Sequence, residues 1–80
     1  MPTVLRTNGF RFFFFSNEGD EPPHVHVQRG DCVAKFWLVP PILDDAEGCH
    51  APGLSKAGAI VSDRSEFLLE RWHEFFGSKD

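Results

Sequence analysis

The chain predicts an α+β domain, with a small antiparallel sheet of about four strands in two hairpins and C-terminal helical structure packed on one face. Three observations carry this. Asn8-Gly9 lies between apolar runs, the strongest short signal for a hairpin. The stretches His24 to Arg29 and Cys32 to Leu38 alternate in character on either side of Gly30-Asp31. From Arg64 to Phe76 the apolar residues recur at helical spacing instead. The 80 residues are expected to make a single domain, 1–80. Within it, 1–39 hold the hairpins, 40–54 form an irregular connection and 55–77 are helical.

In the first hairpin, Asn8 and Gly9 as the central pair set Thr7 opposite Phe10, Arg6 opposite Arg11, Leu5 opposite Phe12 and Val4 opposite Phe13. The run Phe10 to Phe15 is apolar on both faces, as suits a strand covered on each side. Ser16 to Pro23 is polar, acidic and ends in two prolines, hence a loop that delivers His24 in extended form. A Gly30-Asp31 turn pairs Arg29 with Cys32, Val27 with Ala34, Val25 with Phe36, His26 with Lys35 and His24 with Trp37. Val25, Val27, Ala34, Phe36 and Leu38 then share an apolar face fit to receive a helix. His24, His26, Gln28, Val33, Lys35 and Trp37 share the other.

Val39-Pro40-Pro41 ends the strand, and Asp44 to Gly53 reads as an exposed connection. Ser55 is placed to cap a short helix over Lys56 to Val61, weakened by Gly58. Asp63 with Glu66 makes a capping box for a second helix, whose stripe is Leu68, Leu69, Trp72, Phe75 and Phe76 and whose end is Gly77. His73 borders that stripe, near Glu66 and Glu70.

Composition limits the function classes. A chain this short buries only about 60% of its unfolded surface. Nine Phe and two Trp, with no Tyr, supply an efficient core and leave a surplus that a partner can cover. The formal charge of −4 argues against a broad electrostatic grip on nucleic acid, though not against a local basic site. Cys32 and Cys49 lack zinc-motif spacing, and no secretory signal or membrane-length apolar run is visible. Two free thiols in a cytoplasmic protein are the expectation.

Much of the chain resembles the DUF4160 family of small bacterial proteins. The resemblance rests on the opening Met-Pro-Thr-Val-Leu-Arg, on Gly9 to Glu18, on Glu21-Pro22-Pro23-His24-Val25-His26-Val27, on Ala34-Lys35-Phe36-Trp37-Leu38 and on Trp72-His73-Glu74-Phe75-Phe76. It is weakest from Pro40 to Ala59. The resemblance implies a bacterial cytoplasmic protein with a small protein partner of the DUF2442 kind, often encoded beside it as in toxin–antitoxin pairs. It also favours the histidine after the double proline as the functional residue.

Three functions are open, and the expected one is the first, the toxin side of a toxin–antitoxin-like pair acting on RNA through a His/Lys site. A metal-independent ribonuclease-like toxin needs an acid, a base and cations on the phosphate. His24 and His26 are the candidate acid and base, Lys35 the phosphate clamp, and Trp37 a face on which a base stacks. Arg6 and Arg11, directly opposed, form a candidate phosphate-binding fork or simply splay into water. No cofactor is required, and RNA is the expected substrate. Alternatively, His24 and His26 are a strand-spaced pair that holds a metal, with Glu18, Asp20 or Glu21 as further ligands and Lys35 opposing the charge. The third option is a non-catalytic interaction module, an antitoxin or regulatory subunit, self-associating or bound to its neighbour. There the histidines only hold the hairpin to the Pro-Pro turn. Cys49-His50, without two further ligands, makes no metal site.

Overall fold

The computed structural model describes residues 3–77. The chain runs β1 (Thr3–Thr7), β2 (Phe10–Phe13), β3 (His24–Arg29), β4 (Cys32–Leu38), β5 (Pro41–Glu47), α1 (Ala51–Asp63) and α2 (Ser65–Phe76). All five strands form one antiparallel meander in the order β1-β2-β3-β4-β5, and both helices lie on the same side of it.

Both turns fall where the sequence places them. Asn8 and Gly9 take positive φ values of 52° and 81°, the left-handed pair that a two-residue hairpin turn demands. Thr7, Arg6 and Leu5 face Phe10, Arg11 and Phe12, but the register then shifts, so that Thr3 and not Val4 lies opposite Phe13. The Gly30-Asp31 turn sets the β3–β4 register, from Arg29 opposite Cys32 to His24 opposite Trp37. Arg11, Phe12 and Phe13 pair with Gln28, Val27 and His26, which joins the two hairpins into one sheet.

Residues 40–54 are ordered where an irregular connection was expected. Val39-Pro40 is the turn of a third hairpin, and Pro41 opens β5 opposite Leu38. A proline at the first residue of an edge strand forfeits no ladder hydrogen bond that matters. The acidic run Asp44-Asp45-Ala46-Glu47 has low strand propensity, yet at a sheet edge such charges are tolerated and blunt edge-to-edge association. The first helix is also longer than the Lys56 to Val61 segment expected. It begins after His50 with Pro52 in its first turn, so Ser55 lies inside it. Gly58 lies inside it with room for an added Cβ in ordinary contact with the Phe36 ring, so its cost to helix propensity stands. Asp63 closes α1 and forms no capping box; the backbone of Arg64 passes directly from one helix to the next.

Phe10, Phe12, Phe14, Val25, Val27, Ala34, Phe36 and Leu38 meet Ala57, Val61, Leu68 and Trp72 in the core. At roughly 1.5–3 kcal/mol per fully buried large side chain, this layer dominates the stability. Of the expected α2 stripe, Leu68 and Trp72 are buried while Phe75 is largely exposed.

The cysteines are not free thiols. Cys32 and Cys49 form a disulfide, with Cα atoms 4.4 Å apart. Separated by 17 positions, they are brought together by β5, which pairs Glu47 with Val33 and so returns the chain to the start of β4. Without β5 that proximity cannot be read from the sequence. Among the described residues, no helix is long and apolar enough to cross a membrane.

Candidate functional site

The side of the sheet away from the helices has the register to gather the predicted residues. One cross-strand row holds Arg6, Arg11, Gln28, Val33 and Glu47; the next holds Thr3, Phe13, His26, Lys35 and Asp45; a third holds His24, Trp37 and Ile42. Over the β2–β3 part of this face folds the loop between the strands. Two successive turns, from Phe15 to Glu18 and from Glu18 to Glu21, shorten it and bring the Glu18 carboxylate back above the histidines. Asn17, Gly19 and Asp20 are the residue types that such turns favour.

The geometry at this point is tight. A single carboxylate oxygen, Glu18 Oε1, lies 2.9 Å from His24 Nε2 and 2.7 Å from His26 Nε2. His24 Nδ1 lies 2.9 Å from the carbonyl oxygen of Pro22, which can only accept, so Nδ1 carries a proton and donates it. The Pro-Pro segment therefore does more than extend the chain: its carbonyl selects the tautomer of His24. Around these groups is an aromatic wall. Phe13 stacks on His26 and Phe15 meets it edge-on, with centroids 5.6 and 4.5 Å away. Trp37 and Trp72 lie 5.6 and 4.9 Å from His24. His24 is wholly buried, whereas about a fifth of the Glu18 side chain stays in contact with solvent.

Burial shapes the charges. It pulls the His26 pKa below the ordinary histidine value, with Glu18 opposing the shift only in part. Burial also pushes Glu18 upward, but the hydrogen bonds and charge of the two imidazoles outweigh it, and its carboxyl ends below the usual range.

Lys35 faces His26 as expected and yet is committed elsewhere. Its Nζ is 2.7 Å from Glu21 Oε1 and 3.7 Å from Asp44 Oδ2, and it lies over the Trp37 ring at 4.5 Å. The hydrogen bond to Glu21 holds its pKa above the ordinary lysine value.

The segment that builds this site is also the one that places the chain among known proteins. The model of the family described as "Domain of unknown function (DUF4160)" matches residues 9–73, which include Glu18, His24, His26, Lys35 and Trp37. The chain belongs to the DUF4160 family. No curated protein and no solved structure matches it.

In this DUF4160 chain the remaining predicted residues lie apart from the histidines. Arg11 donates to Thr3 Oγ1 at 2.9 Å and Gln28 Oε1 at 3.1 Å and covers the Phe13 ring at 4.3 Å, so it closes the face over Phe13. Arg6 stands beside it, exposed, at the sheet edge. Trp37 packs between His24 and Lys35 and keeps part of its surface open. His73 is exposed on α2, and His50 precedes α1 at the other end of the sheet. The sequence marks Glu18 only as one of three possible loop ligands and does not by itself pair Glu21 with Lys35. The signal for both was a turn-rich acidic loop directly before the His-X-His strand.

Proposed function

We propose that this DUF4160 protein is the binding, non-catalytic member of a two-protein, toxin–antitoxin-like pair, and that it holds a small partner protein on the helix-free face of its sheet. The observation that supports this best is the makeup of that face. It is basic along β1 and β2 (Arg6, Arg11) and acidic along β5 (Asp45, Glu47), with Trp37 and Ile42 paired at one end, Val33 two rows away toward the β3–β4 turn, and the Lys35 row between them. Val33 and Ile42 are 40% and 53% exposed, Val33 on a strand whose other face is core and Ile42 on the edge strand. An aromatic anchor ringed by charges of both signs is the usual anatomy of a protein interface. Family resemblance adds the partner, a domain of the DUF2442 kind.

Metal-independent RNA cleavage finds less support in the same geometry. His24 has no surface from which to exchange a proton with a substrate, His26 shares the Glu18 oxygen, and Lys35 is neutralised by Glu21. The compartment belongs to the proposal too. Resemblance favours the cytoplasm, while the Cys32–Cys49 bond favours an oxidising compartment, where disulfides persist. Alkylation in intact cells before lysis decides between them.

The interface is tested by light scattering of the chain alone and with the product of the adjacent gene. A stable complex is expected, and Ile42→Glu should abolish it while leaving the melting temperature of the chain nearly unchanged, since the position is exposed. A chain that ignores its neighbour, or an Ile42→Glu variant that binds as well as the parent, overturns the assignment.

A further inference from the structure

We propose that Glu18, His24 and His26 form a three-ligand site for a divalent first-row transition ion, with Zn2+ the leading candidate. The donor atoms of these residues all lie within 4.8 Å of one another, and they are the one such group of three found among the described residues. This goes beyond the interface described above and does not depend on it.

The argument begins with electron pairs. With Nδ1 donating to the Pro22 carbonyl, Nε2 is the His24 nitrogen that faces Glu18: it holds a proton where it hydrogen-bonds the carboxylate, and a cation that displaces that proton meets the Nε2 lone pair. His26 Nε2 points to the same carboxylate oxygen from a ring set at 85° to the first. Two imidazole nitrogens and one carboxylate oxygen thus converge on one small volume. A cation placed among them satisfies all three lone pairs at once. The carbonyl behind His24 matches the outer-shell hydrogen bond that metal-bound histidines almost always make, which sets the tautomer and the ring plane.

The surroundings favour the ion as well. The aromatic wall of Phe13, Phe15, Trp37 and Trp72 holds both rings in place, so little ordering is left for binding to impose. Lys35 would repel a cation if its charge were free, but Glu21 and Asp44 flank it. Around the site, three carboxylates (Glu18, Glu21, Asp44) stand against one ammonium (Lys35). Two imidazoles with one carboxylate suit Zn2+ and its borderline neighbours, whereas Mg2+ and Ca2+ prefer oxygen throughout.

Ligands at about 2.0–2.2 Å from a tetrahedral ion stand roughly 3.3 Å apart. Glu18 is closer than that to both imidazoles, so it must retreat by about half an ångström, and it is the ligand carried on a loop. The partly exposed side of Glu18 leaves the fourth position to solvent. That is the layout of a site able to take a water or a small anionic ligand.

The test uses tag-free protein stripped with a chelator. Calorimetric titration with Zn2+ should give one ion per chain, Co2+ should develop the visible absorption of a four-coordinate nitrogen–oxygen site, and saturating Zn2+ should raise the melting temperature. Glu18→Gln, a change on the loop, should fold like the metal-free parent and bind more weakly by at least about 10–100-fold, the loss that even an outer-shell partner causes. His50→Gln and His73→Gln should bind as the parent does. Absence of stoichiometric binding, unchanged affinity in Glu18→Gln, or loss of binding in His50→Gln or His73→Gln would each overturn the site and leave Glu18, His24 and His26 as a hydrogen-bonded brace.

Discussion

Trp72→Ala removes the side chain that joins the helical layer to the histidine site. Trp72 is only 4% exposed, and its ring lies 5.3 Å from Phe14, 4.1 Å from Phe76 and 4.9 Å from His24. Truncating a buried tryptophan costs about 3–5 kcal/mol, from lost transfer energy and the cavity left behind. Each well-placed aromatic pair adds about 0.5–1.5 kcal/mol beyond area, which puts this variant in the upper half of that range. At about 0.05–0.15 kcal/mol per residue, a domain of this size has only some 4–12 kcal/mol in total. Since about 1 kcal/mol moves the midpoint of a small domain by 4–8 °C, the variant should melt at least roughly 16 °C below the parent, or not fold at all. Far-UV circular dichroism during heating and in urea measures this, and Trp37 remains as a fluorescent reporter. Phe75→Ala, on the same helix but largely exposed, is the internal control and should cost about 1 kcal/mol. Equal effects of the two substitutions, or a Trp72→Ala midpoint within a few degrees of the parent, would refute the packing assigned to α2.

Two further substitutions probe charge and backbone. Lys35→Met should cost less than about 1 kcal/mol, because the Glu21 partner is well exposed and solvent screens the pair. As Glu21 raises the Lys35 pKa, the pair contributes fully below the unfolded lysine value of about 10.4 and fades only as pH rises through the folded one. The difference in melting temperature between parent and variant should therefore stay flat between about pH 7 and 9, and a difference that grows or vanishes in that window would contradict the pairing. Gly48→Ala should destabilise by about 1–3 kcal/mol, since Gly48 has a φ of 67° and an added Cβ would collide with the Asp31 backbone. A variant as stable as the parent in urea would show that β5 does not return against the β3–β4 turn.

How much of this was legible in the sequence depended on the range of the interaction that decides each feature. Asn8-Gly9 and Gly30-Asp31 determined two hairpins and nearly all of their registers, because turn chemistry acts over two to four residues. Strict alternation then separated the Val25/Val27/Ala34/Phe36/Leu38 face from the His24/His26/Lys35/Trp37 face, and helical spacing singled out Leu68 and Trp72. The fifth strand could not be read in the same way. Asp44, Asp45 and Glu47 have poor strand propensity, and only the edge position beside β4 makes them acceptable, a property of the sheet and not of the segment. The disulfide follows from that strand, since β5 alone returns Cys49 to Cys32.

At the site, the pairing of His26 with Lys35 was already fixed by a local turn. That Lys35 is held by Glu21, and that Glu18 meets both histidines, was decided by the folding of a polar loop over a buried face. Loop conformation depends on backbone turns, on the Pro22 carbonyl and on packing of Gly19 against Phe76, and no periodicity in the sequence records it.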